Sequence, residues 1–239
     1  MSGRQWRKLA TWLAPTHTVL TPDFLGAGAN PPWPVGAPFD FHEDVRAIEA
    51  LLPPGGASVH LVGHSYGGLV ALTVARRRPE RIASLALYDP VAFGVLHAAH
   101  DAAGLADLGR YAAEGGADDA HGGEESWLEG FIDYWSGAGA WQALPAPART
   151  AFLAQGRQAY LEARSLAADR TPAAAYATIT APTLLVGGAL SPLSVQRVAV
   201  HLEAALPRPT RLVVPGAGHM GPLTHGDAVN AALAAHLRA

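Results

Sequence analysis

The stretch from Leu61 to Val70 reads LVGHSYGGLV and places a serine between glycines, where an apolar run ends and a helical pattern begins. Gly63, Ser65 and Gly67 have the G-x-S-x-G spacing of a sharp strand-to-helix turn. A serine hydroxyl is a weak nucleophile and has to be held out on such a turn, with a histidine to take its proton. The stretch predicts Ser65 as a nucleophile and the backbone N–H of Tyr66 as an oxyanion donor. The alternative is a small polar residue in a tight turn.

Short aliphatic and β-branched runs alternate with longer helical patterns along the chain, which is typical of parallel strands joined by crossover helices. The sequence therefore predicts an α/β fold with a doubly wound, mostly parallel sheet. The five predicted strands are Thr18 to Thr21, Val59 to Val62, Ile82 to Tyr88, Thr183 to Val186 and Arg211 to Val214.

Residues 92–176 have no strand pattern and are rich in Ala, Gly and aromatic residues. We interpret them as a helical cap inserted into a core made of residues 1–91 and 177–239. Its predicted helices are Val91 to Glu114, Glu124 to Trp135 and Ala148 to Ala168. The aromatic residues of the cap could line an apolar acyl pocket, although their helical spacing is more typical of a cap core. They are Trp127, Phe131, Tyr134, Trp135, Trp141, Phe152 and Tyr160.

Composition limits the classes of partner. The 239 residues carry a net charge of −3 with 15% charged residues, so there is no basic stripe to neutralise phosphates or an anionic membrane. We expect neither a nucleic acid nor a membrane as partner. The absence of cysteine excludes disulfides and thiolate metal sites and is typical of an intracellular, here cytoplasmic, protein. The first residues lack the unbroken apolar stretch of a signal peptide. Oligomeric state does not follow from the sequence.

The general base should follow the last strand, where the sequence reads RLVVPGAGHMGPLTH. His219 lies there in a glycine-flanked turn and is the predicted base. His225 is the second choice, because it lies at the start of the final helix. His60 alternates with apolar residues in a strand and is interpreted as structural. His64 precedes the serine and is predicted to point away from it.

Four segments together give the chain a family resemblance. They are GHSYGG, PDFLGAG at Pro22 to Gly28, PTLLVGG at Pro182 to Gly188 and GAGHMGP at Gly216 to Pro222. With them the chain resembles, over nearly its whole length, the capped serine members of the α/β-hydrolase superfamily. The resemblance implies a doubly wound sheet, a helical cap over the site, acyl-type chemistry and no cofactor. It also implies that Asp23 orders the PDFLGAG turn.

The acid of the triad departs from the common family pattern. That pattern has an aspartate shortly after the strand Thr183 to Val186, where this chain has Ser191, which we interpret as a helix N-cap. The family's second solution lies at the end of the strand after the nucleophile helix, in SLALYDPVAF, and makes Asp89 the predicted acid. The alternative for Asp89 is an Asp-Pro turn. Asp227 is a poorer candidate because its position suits the first turn of a helix.

A second departure concerns the oxyanion hole. The family has a strand and a His-Gly-type loop ahead of SGRQWRKLATWLAP, and this chain begins just after them. The missing strand would lie between Thr18 to Thr21 and Val59 to Val62, so its deletion leaves a gap of about two 4.8 Å strand spacings. We expect either an upstream start codon or direct pairing of those two strands, and favour the first. Only the Tyr66 oxyanion donor would remain in the chain as it stands.

These observations predict a serine hydrolase that acts by nucleophilic acyl transfer on a small to medium apolar substrate, either an ester or a related carbonyl compound with a cleavable carbon–carbon bond. By the family comparison, serine at the turn argues against haloalkane and epoxide substrates. The alternative is a catalytically impaired or N-terminally truncated domain of the same fold that binds a ligand or partner under its cap.

Overall fold

The computed structural model describes residues 2–111 and 121–238. In these residues four parallel strands form one sheet, with the order β1-β2-β3-β4 along the sheet as along the chain. The strands are β1 (Val59–His64), β2 (Ile82–Tyr88), β3 (Thr183–Gly188) and β4 (Pro209–Val214). Four of the five predicted strands are therefore present. The α/β class and the parallel sheet are confirmed.

Helices cover both faces of the sheet and fill the long connection between β2 and β3. In chain order they are α1 (Arg7–Leu13), α2 (His42–Ala50), α3 (Tyr66–Arg77), α4 (Gly94–Ala98), α5 (Ala102–Tyr111), α6 (Glu125–Ser136), α7 (Ala140–Ala143), α8 (Ala146–Ala168), α9 (Leu193–Ala205), α10 (Gly221–Thr224) and α11 (Gly226–Leu237).

The sheet has a hydrophobic core on each face. On one face α3 and α9 pack against the strands, through buried side chains such as Leu69 and Leu72 of α3, and α2 packs against α3. On the other face α1 and α11 cover the sheet, and Leu9 of α1 and Leu233 of α11 are buried there. Each such side chain stabilises the fold by about 1.5–3 kcal/mol. The result is a doubly wound arrangement, with the site-bearing loops at the carboxyl ends of the strands.

The predicted strand from Thr18 to Thr21 is wrong, because these residues form no regular secondary structure and belong to no sheet. Instead, a cavity of about 400 Å³ separates them from β1 and is lined by both. A strand exists only with a hydrogen-bonded neighbour, and here the segment has none at strand distance. Direct pairing of the two segments, one of our two expectations, is therefore wrong, and β1 is an edge strand.

The connection from β2 to β3 is helical, as predicted, but its first helix is divided. The predicted helix Val91 to Glu114 consists of α4 and α5, separated at His100, whose φ is +50°. The carboxylate of Asp101 then accepts the backbone N–H of Gly104 at 2.9 Å and caps the second helix. The end of the predicted helix, residues 112–114, lies outside the described residues. The boundaries at 92 and 176 stay a prediction.

The helices α6, α7 and α8 share a small core of their own. It is built by Trp127, Leu128 and Ile132 of α6, Trp141 of α7 and Tyr160 of α8. Most of the cap aromatics thus serve as cap core, as their spacing indicated, whereas Phe152 is 38% exposed. Across the described ranges, every helix is too short or too polar to pass through a lipid bilayer.

Candidate active site

Ser65 occupies a strained turn between β1 and α3. Its backbone has φ +54° and ψ −122°, a region that non-glycine residues rarely adopt. Its N–H donates to the carbonyl of Tyr88 at 3.0 Å, and its own carbonyl accepts the N–H of Gly68 at 2.9 Å. Strain of this kind costs about 1–3 kcal/mol and is held in place by surrounding structure, which is typical of functional positions.

The glycines around Ser65 are not equally important for the turn. A Cβ on Gly63 would lie 2.4 Å from the carbonyl oxygen of Gly67, and a Cβ on Gly68 would lie 2.9 Å from Pro90. A Cβ on Gly67, by contrast, would meet only the ring of Phe24 at 3.5 Å, an ordinary contact. The turn therefore requires the absence of a side chain at 63 and 68, and the second glycine of the G-x-S-x-G spacing is not sterically required.

Three predicted site residues lie together at the carboxyl ends of the strands. Nε2 of His219 is 2.9 Å from Oγ of Ser65, and Nδ1 of the same ring is 3.3 Å from Oδ2 of Asp89. All three residues are buried, with exposures of 8% for Ser65, 2% for His219 and 3% for Asp89. The nucleophile, base and acid predicted from the sequence thus form one hydrogen-bonded line.

The partners of His219 decide its tautomer. A carboxylate only accepts, so Nδ1 carries the proton and donates to Asp89, which leaves Nε2 free to accept the hydroxyl of Ser65. Burial lowers the pKa of His219 and keeps the imidazole neutral. The ring is therefore in the state that a general base needs.

Asp89 is held by more than His219. Its backbone has φ +42°, and its N–H donates to the carbonyl of Val186 at 2.9 Å. The hydroxyl of Ser191 donates to Oδ2, and the N–H of Gly188 is a further hydrogen-bond donor to the carboxylate. Burial raises the pKa of Asp89, while these two donors lower it by stabilising the charged form.

This contact corrects the interpretation of Ser191. The residue was expected to cap the following helix, but its side chain is turned toward the carboxylate of Asp89, and α9 has no side-chain cap. The sequence signal for this contact is that a hydroxyl stands where the family usually has its acid. Ser191 therefore lies within the site without supplying the charge.

The residues that precede Ser65 and Asp89 position the loop of the base. Nε2 of His64 is 2.8 Å from the carbonyl of His219, and the hydroxyl of Tyr88 donates to the carbonyl of Gly218 at 2.7 Å. Burial lowers the pKa of His64 to about 3, so the ring is neutral and donates through Nε2–H. His64 does not contact Ser65, as predicted, but its role at the base was missed by sequence reasoning.

Tyr66 combines two functions in one residue. As the first residue of α3 it has a backbone N–H with no intrahelical acceptor, at the position of the predicted oxyanion donor. Its side chain is buried, and its hydroxyl donates to Oδ2 of Asp44 at 2.6 Å. Asp44 also accepts the N–H of Leu25 at 2.9 Å, and burial raises its pKa. Asp44 thus connects α2 to the turn, a link that no sequence motif indicated.

The remaining candidates lie away from Ser65. Asp227 is exposed and forms an ion pair with Lys8, and His225 is hydrogen-bonded to the neighbouring Thr224. Asp23 accepts backbone N–H groups at both carboxylate oxygens and orders its turn, as the resemblance implied. His60 contacts Ser84 at 2.7 Å, in agreement with a structural role. Within residues 2–111 and 121–238, no group of three or more His, Cys, Asp or Glu could hold a metal ion.

One cap residue reaches the site. The indole of Trp135, near the end of α6, stacks on the imidazole of His219 with 4.0 Å between ring centroids and 30° between ring planes. Helical spacing in the sequence does not distinguish Trp135 from the other six aromatic residues of the predicted cap. Only its direction in space distinguishes it, since Trp127, Leu128 and Ile132 of the same helix point into the core shared with α7 and α8.

Comparisons with known proteins show what this chain is similar to. Residues 1–232 match the model of the Alpha/beta hydrolase family. Lipase LipV of Mycobacterium tuberculosis is 44% identical over 89 residues, which are 37% of this chain and 33% of the lipase. The alignments with that lipase and with similarly matched curated relatives cover about a third of the relatives' length. The putative carbamate hydrolase RutD of Klebsiella pneumoniae is 27% identical over 97% of this chain and 85% of its own length.

Solved structures give the same result for the fold. The enol-lactonase from Burkholderia xenovorans LB400 superposes with a TM-score of 0.73 and 18% identity, covering 100% of this chain and 87% of the lactonase. At that identity the likeness concerns the fold alone. The family match extends over nearly the whole sequence, and the parallel sheet agrees with it. This chain belongs to the alpha/beta hydrolase family.

Proposed function

We propose that the chain is a serine hydrolase that acts by nucleophilic acyl transfer on a small to medium apolar ester or a related carbonyl substrate. The observation that carries the proposal is the contact of His219 with Ser65 at 2.9 Å, together with Asp89 at 3.3 Å on the other ring nitrogen. A serine nucleophile, a neutral imidazole and a buried carboxylate in this order are the parts of acyl-transfer catalysis. The family relatives with lipase and hydrolase names support the same class.

The proposed mechanism has two halves. In the first, Oγ of Ser65 attacks the substrate carbonyl while its proton moves to Nε2 of His219, and Asp89 stabilises the imidazolium through Nδ1–H. The negative oxygen of the tetrahedral intermediate accepts the backbone N–H of Tyr66. Protonation of the leaving group by His219 then gives the acyl enzyme. In the second half water, activated by the same imidazole, attacks the acyl carbon and releases Ser65.

The surroundings of the site support an apolar substrate. Phe93, which follows β2, and Trp135 of the cap are both buried and stack with 6.4 Å between their centroids. The side chains of this apolar wall offer little to a strongly charged substrate. We also propose that residues 92–176 act as the cap and that residues 1–91 and 177–239 form the catalytic core.

A fluorophosphonate probe tests the proposed activity, because it labels only a serine that a neighbouring base activates. We expect the folded wild type to be labelled, and Ser65→Ala to be unlabelled while retaining the wild-type circular dichroism spectrum. A folded wild type that takes up no label would overturn the proposal. Esters of increasing acyl length would then define the substrate range.

A second candidate function rests on the cavity beside β1. Within residues 2–111 and 121–238, the cavity of about 400 Å³ reaches Gly63 and Gly67 at the turn, on the side where we expect the second oxyanion donor. Loss of one such donor costs on the order of 10²–10³ in rate. This observation favours a catalytically impaired domain that binds a ligand. The probe separates the two candidates, since a binder without turnover is not labelled.

A further inference from the structure

We propose that Trp135 is a positioning residue of the hydrolase site, whose indole face holds the imidazole of His219 in line with Ser65 and stabilises the imidazolium formed when the hydroxyl proton is transferred. The proposal rests on the proposed function. The observation behind it is the stacked contact between the two rings, 4.0 Å between centroids and 30° between planes. It assigns a cap residue to the machinery of the core.

The two hydrogen bonds of the His219 ring lie in the plane of the imidazole and do not involve its faces. Its two nitrogens face Ser65 and Asp89, at 2.9 Å and 3.3 Å. A side chain that keeps the ring in the plane joining these partners has to act on a face of the imidazole, and the indole of Trp135 does so. Small displacements matter here, because misplacement of a catalytic group by about 1 Å can cost on the order of 100-fold in rate.

The indole of Trp135 is held in place by its neighbours. Trp135 is 9% exposed, and Phe93, which follows β2, lies nearly parallel to it, with 6.4 Å between centroids and 12° between planes. The preceding residue of α6, Tyr134, donates its hydroxyl to Asp107 at 3.0 Å and accepts the hydroxyl of Ser194 at 2.7 Å. These contacts tie α6 to α5 and to the start of α9. The indole is thus presented to His219 from a fixed helix.

Further contacts fix the carboxyl end of the same helix. The carboxylate of Asp133 accepts the backbone N–H groups of Gly139 and Trp141, both at 2.8 Å. These bonds fix the turn between α6 and α7 just after Trp135.

The charge of His219 changes during the proposed reaction, and this gives the indole a chemical function. The titratable groups that face the imidazole are Asp89 from the end of β2, Tyr88 beside it and His64 from the end of β1, while the cap presents an uncharged ring. Of these only Asp89 offers a negative charge. An imidazolium over the π face of an indole is stabilised electrostatically, and more so where water is excluded.

Two substitutions of Trp135 separate stabilisation of His219 by an aromatic face from simple apolar packing. Trp135→Phe keeps a π face above the imidazole, and Trp135→Leu keeps apolar bulk without one. We expect Trp135→Phe to retain kcat within about 3-fold and Trp135→Leu to lose about 10–30-fold in kcat, with KM changed by less than about 3-fold. Equal loss in both variants, or a loss confined to KM, would overturn the proposal.

A spectroscopic readout tests the charge directly. In the adduct of Ser65 with a phosphonate, the imidazolium of His219 can be titrated by NMR. Because the indole stabilises the charged form, its removal lowers the pKa of the imidazolium in Trp135→Leu, by about one unit, whereas Trp135→Phe stays near wild type. An unchanged or raised pKa in Trp135→Leu indicates that water replaces the indole and contradicts the proposal.

Trp127→Leu is the matched control, since Trp127 lies in the same helix but packs into the cap core. It is expected to lower the melting temperature without the selective loss in kcat. Labelling by the fluorophosphonate distinguishes the failure of the two proposals. If the wild type is not labelled, the proposed function fails; if wild type and Trp135→Leu are labelled at equal rates, only the role of Trp135 fails.

Discussion

The two sides of Ser65 differ in how completely they are built. On the side of β2 and β3, Asp89 has hydrogen-bond donors from Ser191 and His219, and the loop of the base is held by Tyr88 and His64. On the other side, within the described ranges 2–111 and 121–238, no further strand pairs with β1, and a cavity of about 400 Å³ lies along it. The groups of the proposed proton transfer, Asp89 and His219, are thus held by contacts on the side of β2 and β3. The opposite side of Ser65, where the oxyanion would form, borders on the cavity.

The strands themselves reflect this difference. Six of the seven residues of β2 are buried, whereas in β1 only Gly63 and His64, at the turn itself, are buried. Both sequences are apolar enough for a central strand, so the difference lies in neighbours and not in composition. The comparison teaches that the position of Ser65 depends on β2 and the helix behind it more than on what lies beyond β1.

The largest expected effect is on the side of β2 and β3. Asp89→Asn replaces the acceptor of Nδ1–H by an amide that favours the wrong tautomer of His219, so we expect ester turnover to fall by about 10⁴. Steady-state kinetics with a small activated ester measures it. Asp227→Asn, at the exposed carboxylate paired with Lys8, is the control and should retain full turnover. Retained turnover in Asp89→Asn would remove this residue from the triad.

A pair of glycine substitutions compares the two sides of the turn. Gly63→Ala forces its Cβ against the carbonyl of Gly67 and displaces Ser65, so we expect kcat/KM to fall on the order of 100-fold, with a stability loss of about 1–3 kcal/mol. Gly67→Ala meets only the ring of Phe24 and should stay within about 5-fold of wild type.

Kinetics and urea unfolding of both variants check this prediction. Equal damage from the two substitutions would contradict it and would make Gly67 as necessary to the turn as the motif suggests.

The smallest effect is expected at Ser191, which supports Asp89 without carrying charge. Ser191→Ala removes a donor that stabilises the carboxylate, so the pKa of Asp89 rises further above its ordinary value. Activity requires the ionised acid, and the acid limb of kcat/KM therefore moves to higher pH, by about one to two units for a hydrogen bond to a charged group. Turnover at neutral pH falls, and recovers as the pH is raised.

The pH profile of Ser191→Ala checks this sign, and Ser191→Thr, which keeps the hydroxyl, is expected to retain the wild-type limb. A limb that stays in place in Ser191→Ala would mean that the carboxylate is stabilised chiefly by the backbone of Gly188.

Local patterns predicted those parts of the site that depend on a few consecutive residues. The turn at Ser65 follows from glycine spacing between a strand and a helix, and His219 follows from its place after the last strand. The segment Thr18 to Thr21 was predicted wrongly by the same reasoning. A β-branched run indicates that a segment can form a strand, but not that a neighbouring strand is there to pair with it. Ser191 was interpreted as a helix N-cap because its neighbour is proline. Its hydroxyl instead donates to the carboxylate of Asp89, 102 positions earlier in the chain.

The amino-acid sequence by itself determined the alpha/beta class, the strained serine turn and the order in which nucleophile, acid and base candidates occur, because each depends on local backbone preference and on periodic burial. Tertiary structure alone decided that Trp135 covers His219, that Asp44 anchors Tyr66 and that β1 stands beside a cavity. These contacts join residues from distant parts of the chain. Their geometry depends on the direction of single side chains, which the hydrophobic periodicity of the sequence does not predict.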